Sequence, residues 1–150
     1  MLYTILKYVH IVSAIAALGV NITYPLWFFR ARNKREALVF TLQTIKIIDE
    51  WIAIPAYVLL LPSGWWLAAI AGWSLTTPWI FISLVLYTLL SIVGLAIFTP
   101  ALKKQIKTAE NEGSDTAEYK KIAHRTNTIS IALNFVVLVI IFLMIAKPAF

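Results

Sequence analysis

Apolar residues in this chain run on without the interruptions that a half-solvated helix or strand would need. Leu2 to Phe29, Trp51 to Trp73, Trp79 to Ala101 and Thr126 to Ala146 are four such runs. A helix needs roughly 20 apolar residues to cross a ~30 Å hydrocarbon core, so each run predicts one transmembrane helix. The expected fold is all-α: a four-helix transmembrane bundle forming one integral-membrane domain over residues 1–150. The first run starts almost at Met1 and ends in Trp27-Phe28-Phe29-Arg30 instead of a small-residue cleavage site, so it is expected to be retained.

Only the approach to the second run departs from this pattern. Glu36 to Glu50 carries Leu38, Leu42, Ile45 and Ile48 at helical spacing, with Gln43, Lys46, Asp49 and Glu50 among them. The expected arrangement is an amphipathic lead-in helix at the membrane edge, with the span itself starting at Trp51. The alternative starts the span near Ala37 and carries Lys46, Asp49 and Glu50 into the bilayer, at several kcal/mol unless they pair. Pro55 and Pro62 are expected to disturb whatever helix holds them.

Composition supports the membrane reading: 61% hydrophobic and only 13% charged residues, with mean hydropathy +0.83, lie outside the range of water-soluble domains. The net charge of +6 would suggest nucleic acid in a soluble protein. Here the basic residues flank spans (Arg30 to Arg35, and Lys103 to Lys121 with Arg125), so no nucleic-acid partner is expected. The positive-inside rule makes both basic loops cytoplasmic, with both termini outside a plasma (inner) membrane. Trp65, Trp66, Trp73 and Trp79 crowd the uncharged connection between the second and third runs, as interfacial anchors do. The polar turn Glu110 to Asp115 lies between stretches expected to extend the third and fourth helices as a short hairpin. With no cysteine in the chain, disulfides and thiolate metal sites are excluded.

Three spans carry a polar stripe. His10, Ser13, Ala14, Ala17, Asn21 and Tyr24 share one face of the first, opposite Ile11, Ile15, Leu18 and Ile22. Ser83, Tyr87, Ser91 and Gly94 align in the third, and Asn127, Ser130 and Asn134 in the fourth. Such stripes serve either as packing faces, where small residues let helices approach and polar groups bond across the contact, or as the wall of a pocket or path. Both readings use the same faces.

His10 is the histidine within a span, on the packing face, and an intramembrane ionisable group is a candidate site. A haem, porphyrin or copper there would draw its second ligand from the same end of the bundle, where Met144, Lys147 and Lys7 are available. His124 belongs to the opposite membrane edge. There Lys46, Asp49, Glu50, His124 and Arg125 are expected to form an ion-pair cluster, with Lys46 and Glu50 at i, i+4 spacing. No nucleophile triad, His-Glu-x-x-His or glycine-rich phosphate loop accompanies these groups.

Leu6-Lys7-Tyr8-Val9-His10-Ile11, Leu18-Gly19-Val20-Asn21, Asp49 ahead of Pro55, Ser63-Gly64, and Leu143-Met144-Ile145-Ala146-Lys147-Pro148 together resemble a bacterial four-helix membrane family, domain of unknown function 2269. The resemblance covers essentially the whole chain and implies the four-span fold without an activity. Lys7-x-x-His10 also looks like the start of copper-resistance membrane proteins and membrane protoporphyrinogen oxidases, which implies metal or porphyrin chemistry at His10. The expected function is that of an integral membrane protein whose polar inter-helix core is structural or binds a small ligand. The alternatives are a haem, porphyrin or copper redox protein using His10, and a transporter or channel subunit acting as a homo-oligomer with Asn21, Tyr87 and Asn134 along its path.

Overall fold

A computed structural model describes residues 1–31 and 35–148. Its elements are α1 (Leu2–Ala31), α2 (Arg35–Ile48), a π-helical turn (Asp49–Ala53), α3 (Ile54–Ile70), α4 (Pro78–Val93), a second π-helical turn (Gly94–Phe98), α5 (Thr99–Asn111) and α6 (Ala117–Ala146). Lipid offers the backbone no hydrogen-bond partner, so uninterrupted helix is the form these apolar runs can take. Four rods result: Leu2–Ala31, Ala37–Ile70, Pro78–Asn111 and Ala117–Ala146, each long and apolar enough to cross a membrane.

The second and third rods are 34 residues each, about 51 Å, well beyond a ~30 Å hydrocarbon core. The excess is accounted for by α2 and α5, the amphipathic stretches, while Trp51–Ile70 alone is about 30 Å long. The lead-in and the span are therefore one continuous rod, not two helices joined by a break. The fourth helix likewise begins at Ala117, so the stretch ahead of the apolar run at Thr126 extends it as expected, and it is capped where the Thr116 hydroxyl accepts from the Tyr119 amide at 3.2 Å.

Each π turn begins six residues before a proline, Asp49 before Pro55 and Gly94 before Pro100. Proline has no N–H to give and crowds the carbonyl four residues back, so a wider turn ahead of it relieves both defects. At the second turn, the Thr99 amide and its hydroxyl, at 3.1 Å, both donate to the Gly94 carbonyl. Pro25 and Pro62 sit in ordinary α-helix, so proline alone is not sufficient.

Packing differs between the two ends. At the basic end α1, α2, α5 and α6 close around Tyr24, Leu38, Leu42, Ile45, Phe98, Leu102, Ile106 and Tyr119, all buried. Burying a Leu or Ile away from water contributes about 1.5–3 kcal/mol, a gain available only where the alternative is water. Toward the tryptophan end the helices meet through small and polar residues, among them Ser13, Ala17, Ala53, Ala56, Ser63, Ser83 and Ser130. Large apolar residues there face outward: Ile15 is 65% exposed, Phe135 68% and Phe142 65%. Ile11 and Ile22, on the expected outer face of α1, are exposed as well.

The ring of helices is closed at one end and split at the other. At the basic end α2 packs on α5; farther along, α3 packs on α1, α1 on α6 and α6 on α4, but α3 and α4 do not pack backbone to backbone. Trp79 and Ile80 meet Ala68 near the tryptophan end, leaving a gap between that cluster and the π turns.

Candidate functional site

That gap is a cleft of about 430 Å³. Its walls are apolar, with Ile54, Val58 and Leu61 on the α3 side and Ile92, Leu95 and Phe98 on the other. Along its back run Asn21, Tyr57, Tyr87, Ser91, Ser130 and Asn134, and at its basic end lies Asp49. From Asp49 to Leu61 on one side and from Tyr87 to Thr99 on the other, the lining covers about 18 Å of helix axis. Both π turns border it, which is where a widened helical turn opens space beside the backbone.

The polar residues at its back are bound to one another across four helices. The Asn21 side-chain amide donates to its own helix at Ala17 (2.8 Å) and to the Tyr57 hydroxyl (3.1 Å). Tyr87 reaches over the gap to donate to the Tyr57 backbone carbonyl at 2.7 Å. Asn134 donates to the carbonyls of Asn21 (3.1 Å) and Ser130 (3.0 Å). Two carbonyl acceptors fix which way round that amide lies, since only its NH₂ can satisfy them. Its Oδ1 is buried and has no partner among the described residues.

Asp49 is 8% exposed, and its carboxylate accepts one long hydrogen bond, from the Tyr24 hydroxyl at 3.5 Å. The Tyr24 ring stacks on Phe98 of the second π turn, interplanar angle 1° and centroids 6.4 Å apart. Lys46 is committed elsewhere, to Glu50 at 3.1 Å on a half-exposed face. His124 and Arg125 are exposed near the start of α6. Of the expected inner-edge cluster, then, Lys46 and Glu50 come together, Asp49 turns inward to Tyr24, and His124 and Arg125 make no side-chain ion pair among the described residues.

His10 packs against α3. Its Nδ1 lies 2.9 Å from Ser63 Oγ, and its ring covers Gly64 so closely that a Cβ there would be 2.8 Å from Cε1. The Ser63 hydroxyl has one hydrogen and two carbonyl acceptors, Leu59 at 2.6 Å and Leu60 at 3.2 Å. With that hydrogen given to the nearer carbonyl, Leu59, the contact is made by an Nδ1–H donating to Ser63, and the neutral ring then keeps a lone pair on Nε2. Lys7 is exposed, and Met144 packs beside Ala68, Trp79 and Ile80. Lys147, in left-handed conformation at φ 44°, holds its Nζ 5.7 Å and 5.6 Å from the Trp73 and Trp79 ring centres. Among the described residues no group of three His, Cys, Asp or Glu side chains is placed to hold a metal ion.

Of the other predicted stripe residues, Ser13 and Ser83 are buried in helix contacts, Ser83 donating to the Trp79 carbonyl. Ser91 and Ser130 line the cleft, and Asn127 is half-buried with no partner for its Oδ1 among the described residues. Sequence reasoning overlooked the second span's polar face: Tyr57, Ser63 and Gly64 meet α1 with Ala53 and Ala56, and the small residues at 53, 56, 63 and 64 were the available signal. It also overlooked Gln105, 2% exposed in α5, whose amide donates to the Tyr119 hydroxyl at 3.1 Å.

Neither the curated proteins nor the solved structures contain a match to this chain. A family model does match, described as a predicted integral membrane protein, and it covers residues 4–148. Spanning all four rods and the cleft between them, that match makes the chain a member of the DUF2269 family of predicted integral membrane proteins.

Proposed function

We propose that this protein is a non-catalytic membrane protein that holds a small, mainly apolar ligand in the cleft between α3 and α4, entered sideways from the lipid. The observation that carries this reading is the split ring: the helices close at the basic end, while α3 and α4 leave about 430 Å³ between them. That volume lies within the ~300–1,000 Å³ usual for small-molecule sites, and apolar walls with a few convergent polar groups are their common lining. The basic end faces the cytoplasm of a plasma membrane and both termini face outward, a reading supported by Arg30, Lys103, Lys104, Lys107, Lys120 and Lys121.

The test is saturable binding of radiolabelled dodecyl probes (the alcohol, the ammonium and the carboxylate) to the protein in phosphatidylcholine nanodiscs. Val58→Trp fills the cleft from a lipid-facing position. Wild type is expected to bind at least one probe saturably and Val58→Trp to lose it. No saturable binding of any of the three, or binding unchanged in Val58→Trp, overturns the reading.

A second reading, a haem, porphyrin or copper at His10, is favoured by the lone pair that the Ser63 contact leaves on Nε2. Its test is the absorption spectrum and metal content of protein expressed with added haem or copper. His10→Ala is expected to abolish bound cofactor while His124→Ala retains it; cofactor held at wild-type level by His10→Ala sinks this reading.

A further inference from the structure

The cleft has a charge asymmetry that the apolar-ligand reading leaves unused. Among the residues lining it Asp49 is the charged one, and it sits at the basic end of an otherwise uncharged wall. No cation of this chain answers it among the described residues: Lys46, one turn away, is bound to Glu50 at 3.1 Å, and the Tyr24 hydroxyl is 3.5 Å off. A carboxylate taken out of water demands either a positive partner or several strong donors.

Farther along, the Asn134 amide spends both hydrogens on backbone carbonyls, so it offers the cleft no donor, and its buried Oδ1 has no partner among the described residues. That residue is 8% exposed and lines the cleft. The Asp49 carboxylate thus borders a space whose remaining surface is uncharged and mainly hydrocarbon. A ligand complementary to it carries positive charge and N–H donors at one end and an alkyl body at the other.

We infer that the cleft binds an amphiphilic amine, its ammonium group against Asp49 at the basic end and its hydrocarbon chain lying between α3 and α4 toward Leu61. This rests on the cleft being the ligand site, and it adds the chemical class. Asp49 lies 21 residues before Ile70, about 31 Å along the rod, which puts the head group at the membrane edge where an ammonium is hydrated until it docks. The body then occupies the roughly 18 Å of apolar lining between that edge and Tyr87.

The experiment compares dodecylammonium, dodecanol and dodecanoate at constant chain length, in phosphatidylcholine nanodiscs with empty discs subtracted. Dodecylammonium is expected to bind wild type about tenfold or more tighter than dodecanol, the scale of one charge-assisted hydrogen bond, and dodecanoate weakest. Asp49→Asn, nearly isosteric, is expected to remove the preference, so that dodecylammonium and dodecanol bind the variant within about twofold of each other. Replacing part of the phosphatidylcholine with phosphatidylethanolamine assigns the source: competition identifies a lipid ammonium as occupant, and undiminished binding a free amine.

Equal affinity for ammonium and alcohol in wild type overturns the inference, and that comparison needs no variant to fold. A preference that survives in Asp49→Asn overturns it as well. Saturable binding without charge preference leaves the cleft as a ligand site and removes only the amine, whereas absence of all binding removes both.

Discussion

Asn134 donates an amide hydrogen to the backbone carbonyl of Asn21, 113 residues away in the chain, at 3.1 Å. The contact ties α6 to α1 in the half of the bundle where water is absent and apolar side chains gain nothing by meeting. Asn134→Ala is expected to cost about 0.6–1.7 kcal/mol, the range of interhelical hydrogen bonds in lipid, read as a lowered unfolding midpoint in detergent. A loss above about 4 kcal/mol would mean that Asn134 anchors much more than this pair.

Gly64 is glycine because the His10 imidazole occupies the space a Cβ would need, 2.8 Å from Cε1. Gly64→Ala must push the ring away from Ser63 and is expected to destabilise by about 1–3 kcal/mol. In a His10→Ala background the same change should be close to neutral. A double-mutant cycle measures the difference, and additive losses would contradict the contact.

Asp49→Asn should leave the unfolding midpoint unchanged or raise it. The carboxylate is buried with one long hydrogen bond and no ion-pair partner among the described residues, so its removal relieves more desolvation than it loses in attraction. Loss of more than about 2 kcal/mol would reveal a partner that stabilises the charge.

Orientation is checked by single cysteines in this cysteine-free chain. Asp115→Cys and Thr76→Cys occupy exposed positions in the connections at opposite ends of the bundle. With the basic end in the cytoplasm, an impermeant maleimide on intact cells is expected to label position 76 and spare 115. Labelling of 115 alone inverts the topology.

The four rods and the buried side of α1 could be read from residue order because lipid tolerates little else: Ser13, Ala17 and Tyr24 recur at helical spacing against Ile11, Ile15 and Ile22. The amphipathic spacing of Leu38, Leu42 and Ile45 likewise located a buried face, although the rod proved continuous through Asp49. Tyr57 and Gly64 were harder to find, since in a span rich in aliphatics their significance comes from what α1 brings opposite them. The residues at the back of the cleft, Asn21, Tyr87, Ser91, Ser130 and Asn134, stood out as polar stripes, but the opening itself was not legible. It depends on the α3 and α4 backbones standing apart between the Ala68 contact and the π turns, a relation between helices that no periodicity within one helix encodes. The π turns left a trace in Pro55 and Pro100, but Pro25 and Pro62 carry the same residue without the same turn.

The unequal ends of the bundle imply two kinds of thermodynamics in one chain. Around Leu42, Leu102 and Ile106 unfolding exposes apolar surface to water, which raises heat capacity and gives urea something to solvate. Around Ala17, Ser83 and Ser130 separation exposes the helices to lipid, and neither quantity changes much. Denaturant is therefore expected to loosen α2, α5 and the start of α6 first, with nearly all of the curvature in the stability curve. The four apolar rods then persist as helices in the bilayer, their order kept by insertion and not by cooperativity.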